Sequence, residues 1–225
     1  MTEGSDYLDV SYSTERKPIT AYPLQLCAMV ADRYLERRAG ILLDVGCGRG
    51  DQSRAMSQIG FEVIGCDLSP RARDWAAGQY TVAVFNFETD RFPWSDDSVD
   101  AVFCKSMIEH MREPDRLVSE CRRVLKPGGR AVFITPNWQR MMREFYTEYT
   151  HRTPFTQKSL HDCLLINGFA NVRVDDLIQL PAVWRYPVLA PLTRIFDLAP
   201  RSWRHFKVVR FSQDVMLIGA GRKPA

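Results

Sequence analysis

The stretch Leu42-Leu43-Asp44-Val45-Gly46-Cys47-Gly48-Arg49-Gly50-Asp51 decides the predicted fold of this chain. Apolar residues 41–43, followed by a glycine at every second position from 46 to 50, predict a buried strand that runs into a tight turn. These glycines can adopt positive φ and leave backbone N–H groups open to a ligand. Residues 51–56 then predict the first turns of a helix, whose N-terminus favours negative charge.

Two kinds of cofactor are compatible with such a turn. A dinucleotide site requires G-x-G-x-x-G, whereas here Gly50 comes one residue early and Asp51 stands where a pyrophosphate would lie. Carboxylates at Asp44 and Asp51 favour a ligand that carries positive charge. The pattern D-x-G-C-G-x-G resembles the first motif of class I S-adenosylmethionine (SAM)-dependent methyltransferases, whose cofactor carries an ammonium and a sulfonium group.

Length and composition indicate one ordinary α/β domain. The chain has 225 residues, 45% of them hydrophobic and 25% charged, and we expect a single domain over residues 1–225. No run approaches the roughly 18 apolar residues of a membrane span, and the first ten residues do not resemble a signal peptide, so a cytoplasmic protein is expected. The six cysteines include no C-x-x-C pair, which argues against a zinc site or a disulfide framework.

The N-terminal part is predicted to be an arm followed by a capping helix, residues 1–39. Residues 1–20 are polar, and apolar residues between 24 and 35 recur at helical spacing. A second strand is predicted at residues 61–67, ending in Asp67. Because Asp67 follows Gly48 by 19 residues, its carboxylate is placed to bind a ribose diol on the first loop. The alternative, that Asp67 caps the helix near Pro70, is compatible with this role.

The next segment resembles the adenine-binding part of the same family. Strands are predicted at residues 82–85 and 101–104, and residues 86–100 lie between them. In the family, an acidic or amide side chain here binds the adenine amino group, and an apolar residue covers the ring. Two registers of the pattern are open: one assigns the adenine contact to Asn86, the other to Glu88.

The run from Glu109-His110 through Arg123-Val124-Leu125-Lys126-Pro127-Gly128-Gly129 resembles the type-11 branch of these methyltransferases. The resemblance is close over residues 40–137 and looser towards the end. It implies a Rossmann-like α/β fold with a seven-stranded, mostly parallel sheet, an antiparallel last strand between the fifth and sixth, and helices on both faces. It implies SAM as cofactor and S-adenosylhomocysteine as product. The implied cofactor-binding residues are Asp44, Gly46, Cys47, Gly48, Gly50, Asp51, Asp67, Leu68, Asn86, Phe87, Glu88, Cys104 and Lys105.

Two insertions, residues 138–158 and 181–213, interrupt the alternation of strands and helices. We expect both to form lids that contact the substrate. The candidate substrate residues are Trp138, Tyr146, Tyr149, Arg152 and Trp184. The second insertion mixes six basic residues and six large aromatic ones with one acid, which suits a membrane surface or a phosphorylated, lipid-linked substrate. The alternative is a lid whose arginines face water. With a net charge of only +3 and no recognised RNA-binding module, nucleic acid is not expected as a partner.

Methyl transfer requires little covalent chemistry from the protein. The cofactor supplies the reactive group, and the protein positions and shields the acceptor. For a hydroxyl acceptor, a base within hydrogen-bond reach should help, and His110 and His151 are the candidates. Purely structural roles for both histidines stay open. Relatives that act on quinone precursors read E-x-x-E-H here and resemble metal-dependent enzymes. Ser106 replaces their first acid, so no metal is predicted, although Glu109 and His110 are retained.

The sequence therefore predicts a SAM-dependent methyltransferase that acts on oxygen in a small molecule, a sugar or a glycolipid. Three alternatives stay open: an N- or C-methyltransferase of a natural product, an RNA methyltransferase, and a protein that binds SAM without catalysis.

Overall fold

Strands and helices alternate from residue 40 onward and build one seven-stranded sheet. The structure, a computed structural model, describes residues 6–11 and 18–225; residues 1–5 and 12–17, which belong to the predicted arm, lie outside the described residues. The strands are β1 (Gly40–Val45), β2 (Phe61–Asp67), β3 (Thr81–Val84), β4 (Val99–Lys105), β5 (Leu125–Pro136), β6 (Ala170–Leu177) and β7 (Met216–Arg222).

The strand order is β3-β2-β1-β4-β5-β7-β6. Neighbours from β3 to β5 pair in parallel, whereas β7 pairs antiparallel with both β5 and β6. This confirms the predicted fold class, including the position of the last strand. The strand order reverses between β1 and β4, and in open α/β sheets a crevice for ligands forms at such a point, beyond the carboxyl ends of the strands.

Helices supply apolar side chains to the sheet. The longer helices are α2 (Tyr22–Val30, continued by a π-helical turn to Leu35), α3 (Asp51–Ile59), α5 (Pro114–Val124), α6 (Trp138–Phe145) and α7 (Gln157–Ile166). The shorter helices are α1 (Tyr7–Ser11), α4 (Arg71–Ala76), α8 (Pro181–Arg185), α9 (Ala190–Thr193) and α10 (Lys207–Gln213). Turns of 3-10 helix cover Ile108–His110, Pro187–Leu189, Arg194–Leu198 and Arg201–His205.

The core has two large apolar layers because successive residues of a strand point to opposite faces of the sheet. Leu43 of β1 packs in the same cluster as Leu117 of α5 and Leu160 of α7. Its neighbour Leu42 belongs to a second cluster, with Met56 of α3. A near-continuous apolar strand such as β1 is what a sheet covered on both faces requires.

Most element boundaries agree with the predictions, and the differences have local causes. Thr156 caps α7, because its hydroxyl accepts a hydrogen bond from the Ser159 N–H. Residues Ile108–His110 form only a 3-10 turn, and α5 begins at Pro114, which lacks an N–H and suits a first helical turn. The helix α4 ends at Ala76 because Ala77 adopts a left-handed conformation.

No helix among residues 6–11 and 18–225 is long and apolar enough to cross a membrane.

Candidate functional site

A cavity of about 1010 Å³ opens at the carboxyl ends of the central strands. The loop after β1 and the ends of β2 and β4 form its floor, while α1, α2 and both insertions contribute to its walls. Of the residues predicted to bind cofactor, the following line it: Gly46, Cys47, Gly48, Asp51, Asp67, Leu68, Phe87 and Lys105. Among the described residues that were predicted, Asp44, Gly50, Asn86, Glu88 and Cys104 lie outside this lining.

The loop after β1 is held open by hydrogen bonds to β2. The N–H groups of Gly46 and Cys47 both donate to the carbonyl of Cys66, at 2.9 and 3.0 Å. Gly48 has a φ of 51°, and its N–H donates to Asp67 Oδ2 at 2.8 Å. The bare backbone of Gly46 and Gly48 therefore forms part of the cavity floor.

Gly50 serves packing instead. A Cβ at this position would lie 1.8 Å from the hydroxyl of Tyr80, and the φ of Gly50 is 81°. Any side chain here would push the loop away from Tyr80, so Gly50 allows the loop to pack closely against this residue.

Asp67 accepts backbone hydrogen bonds from both the glycine loop and the turn after β2. Its Oδ1 accepts the N–H of Ser69 at 2.9 Å, which shapes the turn into α4, and its Oδ2 accepts the Gly48 N–H. Burial raises the pKa of Asp67, while these N–H donors favour the ionised form. Because each carboxylate oxygen offers two lone pairs, the side chain retains acceptor capacity towards the cavity it lines.

The expectation that Asp44 and Asp51 together face a cationic ligand needs correction. Asp44 is buried, its Oδ2 accepts the Ser53 hydroxyl at 2.5 Å, and burial raises its pKa to about 7. Asp51 does line the cavity, but it forms ion pairs with Arg49 at 2.5 Å and Arg54 at 3.0 Å. The loop therefore presents less free negative charge than its two acids suggest.

The two candidate adenine ligands are both engaged within the chain. Asn86 Oδ1 accepts the Glu88 N–H at 2.9 Å, and Glu88 Oε1 accepts the Arg112 N–H at 2.8 Å. Between them, buried Phe87 lines the cavity, and exposed Leu68 lines it from the end of β2. Leu68 and Phe87 would pack against an adenine ring, whichever of the two polar residues accepts a hydrogen bond from its amino group.

The end of β4 contributes a lysine. Lys105 lines the cavity, its Nζ donates to Ser106 Oγ at 3.3 Å, and burial lowers its pKa. Cys104 precedes it within the strand and is fully buried. Of these two predicted residues, only Lys105 can therefore reach a ligand.

The structure brings His110 and His151 together, although 40 residues separate them in the chain. Their ring centroids lie 4.8 Å apart, and His110 lines the cavity, whereas His151 packs behind it against Phe145. His151 Nδ1 lies 2.7 Å from the Phe145 carbonyl, so Nδ1 carries the proton. Burial lowers the pKa of both histidines, that of His110 to about 4, and the two rings are therefore neutral near pH 7.

Glu109 completes a cluster with the two histidines. It is fully buried, its Oε2 accepts the Thr135 hydroxyl at 2.9 Å, and burial raises its pKa to about 7. Its Oε1 has no hydrogen-bond partner among the described residues. One ligand atom from each of Glu109, His110 and His151 lies within 4.8 Å of the others, which is close enough for a metal ion to join them. No metal was predicted here, because Ser106 replaces the first acid of the metal-dependent pattern.

The candidate substrate residues separate into one that lines the cavity and four that serve elsewhere. Tyr149 lines the cavity. Trp138 and Tyr146 pack edge-on around Phe145, and the backbone N–H of Arg152 donates to the Glu109 carbonyl at 2.8 Å. Trp184 is buried against Tyr22, and its Nε1 donates to the Ile178 carbonyl at 2.7 Å. Trp184 therefore anchors the second insertion.

Several cavity residues were not predicted. Helix α1 covers the glycine loop: Leu8 is buried in one cluster with Cys47, and Asp6 accepts the Ser69 hydroxyl at 2.6 Å. An apolar Leu8 between acids was the only local signal of this contact. The unpredicted lining residues include Tyr7, Leu8, Tyr22, Gln25, Gln52, Ser106, Met107, Thr150, Gln179, Leu180, Lys207 and Phe211.

Comparisons with known proteins agree with this geometry. Residues 43–133 match the family described as Methyltransferase domain. A ubiquinone biosynthesis O-methyltransferase of Alkalilimnicola ehrlichii is 37% identical over 102 residues, which cover 43% of this chain and 41% of the relative. The first curated relatives are matched over only 33% to 53% of their own lengths.

Two solved structures share the fold over nearly the whole chain. The methyltransferase solved in complex with the Haloferax volcanii Trm112 activator is 20% identical, with a TM-score of 0.75 and coverage of 99% of this chain and 100% of the other. A Haemonchus contortus phosphoethanolamine N-methyltransferase 2, in complex with phosphomonomethylethanolamine and S-adenosylhomocysteine, is 19% identical. Its TM-score is 0.69, and the match covers 98% of this chain and 60% of that one.

Proposed function

Since residues 43–133 match the family described as Methyltransferase domain, we propose that the protein binds SAM and transfers its methyl group to an oxygen of a small-molecule acceptor. The observation that carries this proposal is the Gly48–Asp67 pair on the floor of the cavity. A bare loop next to a carboxylate with spare acceptor capacity suits a ribose diol, and the apolar Leu68 and Phe87 nearby suit an adenine ring.

The position of His110 on the wall of the cavity supports oxygen as the methylated atom. SAM supplies an electrophilic methyl group when bound. The acceptor oxygen would take this methyl group with S-adenosylhomocysteine as the leaving group, and His110 would accept the hydroxyl proton. We propose His110 as the base, because it lines the cavity, and His151 as the residue that positions it from behind. An amine acceptor needs such a base less, since neutral amines are already nucleophilic.

Among oxygen acceptors, we propose the hydroxyl groups of sugars and glycolipids. Their high pKa makes a positioned base useful, and the cavity, at about 1010 Å³, is larger than SAM alone requires. Polar side chains of Gln25, Gln179 and Thr20 lie on its walls, where they can bind hydroxyl groups.

The test measures binding and turnover separately. Titration calorimetry with SAM and S-adenosylhomocysteine should give saturable binding at one site. Release of S-adenosylhomocysteine is then followed with panels of phenols, sugars, glycolipids and amines, and mass spectrometry identifies the methylated atom. Turnover on amines alone would replace the oxygen proposal. Tight SAM binding without turnover on any panel would favour a binding protein without catalysis, and no binding at all would refute the proposal as a whole.

A further inference from the structure

The second insertion exposes an apolar stripe on a helical segment, residues 187–198. Val188, Leu192, Ile195 and Leu198 are 78%, 57%, 69% and 91% exposed. Their spacing of four, three and three residues places them on one side of a helix. A surface helix ordinarily turns its apolar side to the core, so this segment is oriented in reverse.

Contacts on the opposite side hold this orientation. Thr193, on the side away from the stripe, is buried. Asp197 accepts from Arg140 of α6 at 2.6 Å, and Gln213 Nε2 of α10 donates to the Phe196 carbonyl at 2.8 Å. The stripe faces solvent because the polar groups on the other side of the segment form hydrogen bonds with α6 and α10.

Uncompensated positive charge accompanies the stripe. Arg185, Arg194 and Lys207 are exposed and form no ion pair among the described residues. The acid of the insertion, Asp197, is paired with Arg140. The outer surface of residues 185–208 therefore combines apolar side chains with cations, and we call it the apolar-cationic face.

The same face continues into the cavity. Trp203 and Phe206 are each about half exposed immediately before α10, and Lys207 and Phe211 of α10 line the cavity. A molecule held at the apolar-cationic face would therefore lie next to the cavity mouth.

We propose that the apolar-cationic face docks onto the surface of an anionic lipid bilayer, from which an acceptor with an apolar tail enters the cavity. Apolar side chains would insert at the headgroup boundary while Arg185 and Arg194 pair with lipid phosphates. A second copy of this chain fits less well, because a symmetric pairing would bring the same cations together. The inference that the acceptor comes from the bilayer rests on the proposed methyl transfer, whereas the docking step itself is independent of it.

Sedimentation with vesicles tests the docking step independently of catalysis. The full chain should sediment with vesicles of phosphatidylcholine and phosphatidylglycerol and only weakly with phosphatidylcholine alone. The triple variant Leu192→Ser, Ile195→Ser, Leu198→Ser should bind anionic vesicles at least about tenfold more weakly. The matched control is Ile166→Ser, an equally exposed apolar residue on α7.

Charge is tested with a matched pair of double variants. Arg185→Gln with Arg194→Gln should weaken binding to anionic vesicles several-fold, whereas Arg91→Gln with Lys158→Gln, which removes the same net charge from exposed sites elsewhere, should not. Calorimetry with S-adenosylhomocysteine on each sample shows whether the cofactor site is intact, so that failure of docking and failure of the proposed function are distinguished.

Two results would overturn the proposal. One is a sedimentation result in which the wild-type protein binds neither kind of vesicle, or in which the triple variant binds anionic vesicles as well as the wild type does. The other is a concentration-dependent dimer, measured by analytical ultracentrifugation without lipid, that the triple substitution abolishes, because it would assign the face to a second copy.

Discussion

Replacing Asp67 with alanine should weaken binding of S-adenosylhomocysteine by about tenfold to 150-fold. Asp67 already accepts two backbone N–H groups, from Gly48 and Ser69, and its remaining lone pairs face the cavity. If these lone pairs accept the ribose hydroxyls, the loss corresponds to a hydrogen bond with a charged partner, about 1.5–3 kcal/mol. At about 1.4 kcal/mol per factor of ten, this range gives the stated change in Kd.

Part of the loss could come from the loop instead of the ribose, since Asp67→Ala also leaves the Gly48 N–H without its acceptor. A double-mutant cycle separates the two contributions. Calorimetry compares S-adenosylhomocysteine with its 2′-deoxy analogue on the wild type and on Asp67→Ala. The deoxy analogue should bind more weakly to the wild type, and the variant should discriminate much less between the two ligands. Asp162→Ala, which changes an acid on α7 that does not line the cavity, serves as control.

The reasoning is refuted if the affinity of Asp67→Ala stays within about twofold of the wild type, which is less than the smallest hydrogen-bond contribution expected here. It is also refuted if the deoxy analogue loses as much affinity on the variant as on the wild type. The second result would leave Asp67 as a residue that shapes the loop only.

Three further predictions concern the cluster formed by Glu109, His110 and His151. His110→Ala should lower turnover at saturating SAM by about 100-fold or more, His151→Ala by less, and neither should change S-adenosylhomocysteine affinity; unchanged turnover in both would remove the base. Glu109→Gln should flatten the pH dependence of the free energy of unfolding between about pH 5 and pH 8. The pKa of Glu109 is raised to about 7, so its stabilising contribution is present below pH 4.5 and disappears as the pH rises through 7. Urea titrations in which the free energy of unfolding has the same slope against pH in the wild type and the variant would contradict this. Excess EDTA should leave turnover unchanged, and a loss that Mg²⁺ or Mn²⁺ restores would assign Glu109, His110 and His151 to a metal.

The shape of the glycine loop and its position next to Asp67 could be predicted because their signals are local. The loop at 46–50, the strand end at Asp67 and the helix α3 all lie within 30 residues of one another, and glycine spacing with apolar periodicity describes each of them. The pairing of Asp51 with Arg54 is likewise a local signal, since residues three apart on a helix are neighbours. This pairing leaves Asp51 with less free charge for a cationic ligand than its place in the motif suggests.

The roles of the aromatic residues could not be predicted in the same way. Trp138, Tyr146, Tyr149 and Trp184 all lie in insertions, and composition alone cannot tell a ligand contact from a packing contact. What separates them is their partner: Trp184 packs on Tyr22 from the other end of the chain, and Trp138 packs on Phe145, whereas Tyr149 faces the cavity. Such partners are set by tertiary contacts that no periodicity encodes.

The walls of the cavity where we propose that the acceptor binds are assembled from segments that are far apart in sequence: α2 near the N-terminus, Tyr149 and Thr150, Gln179 to Pro181, and α10. Each segment can vary without disturbing the glycine loop, because the loop is held by β2 through Cys66 and Asp67. Residue changes in these walls should therefore alter acceptor choice while SAM affinity stays constant. This separation explains why the sequence motifs identify the cofactor but do not identify the acceptor.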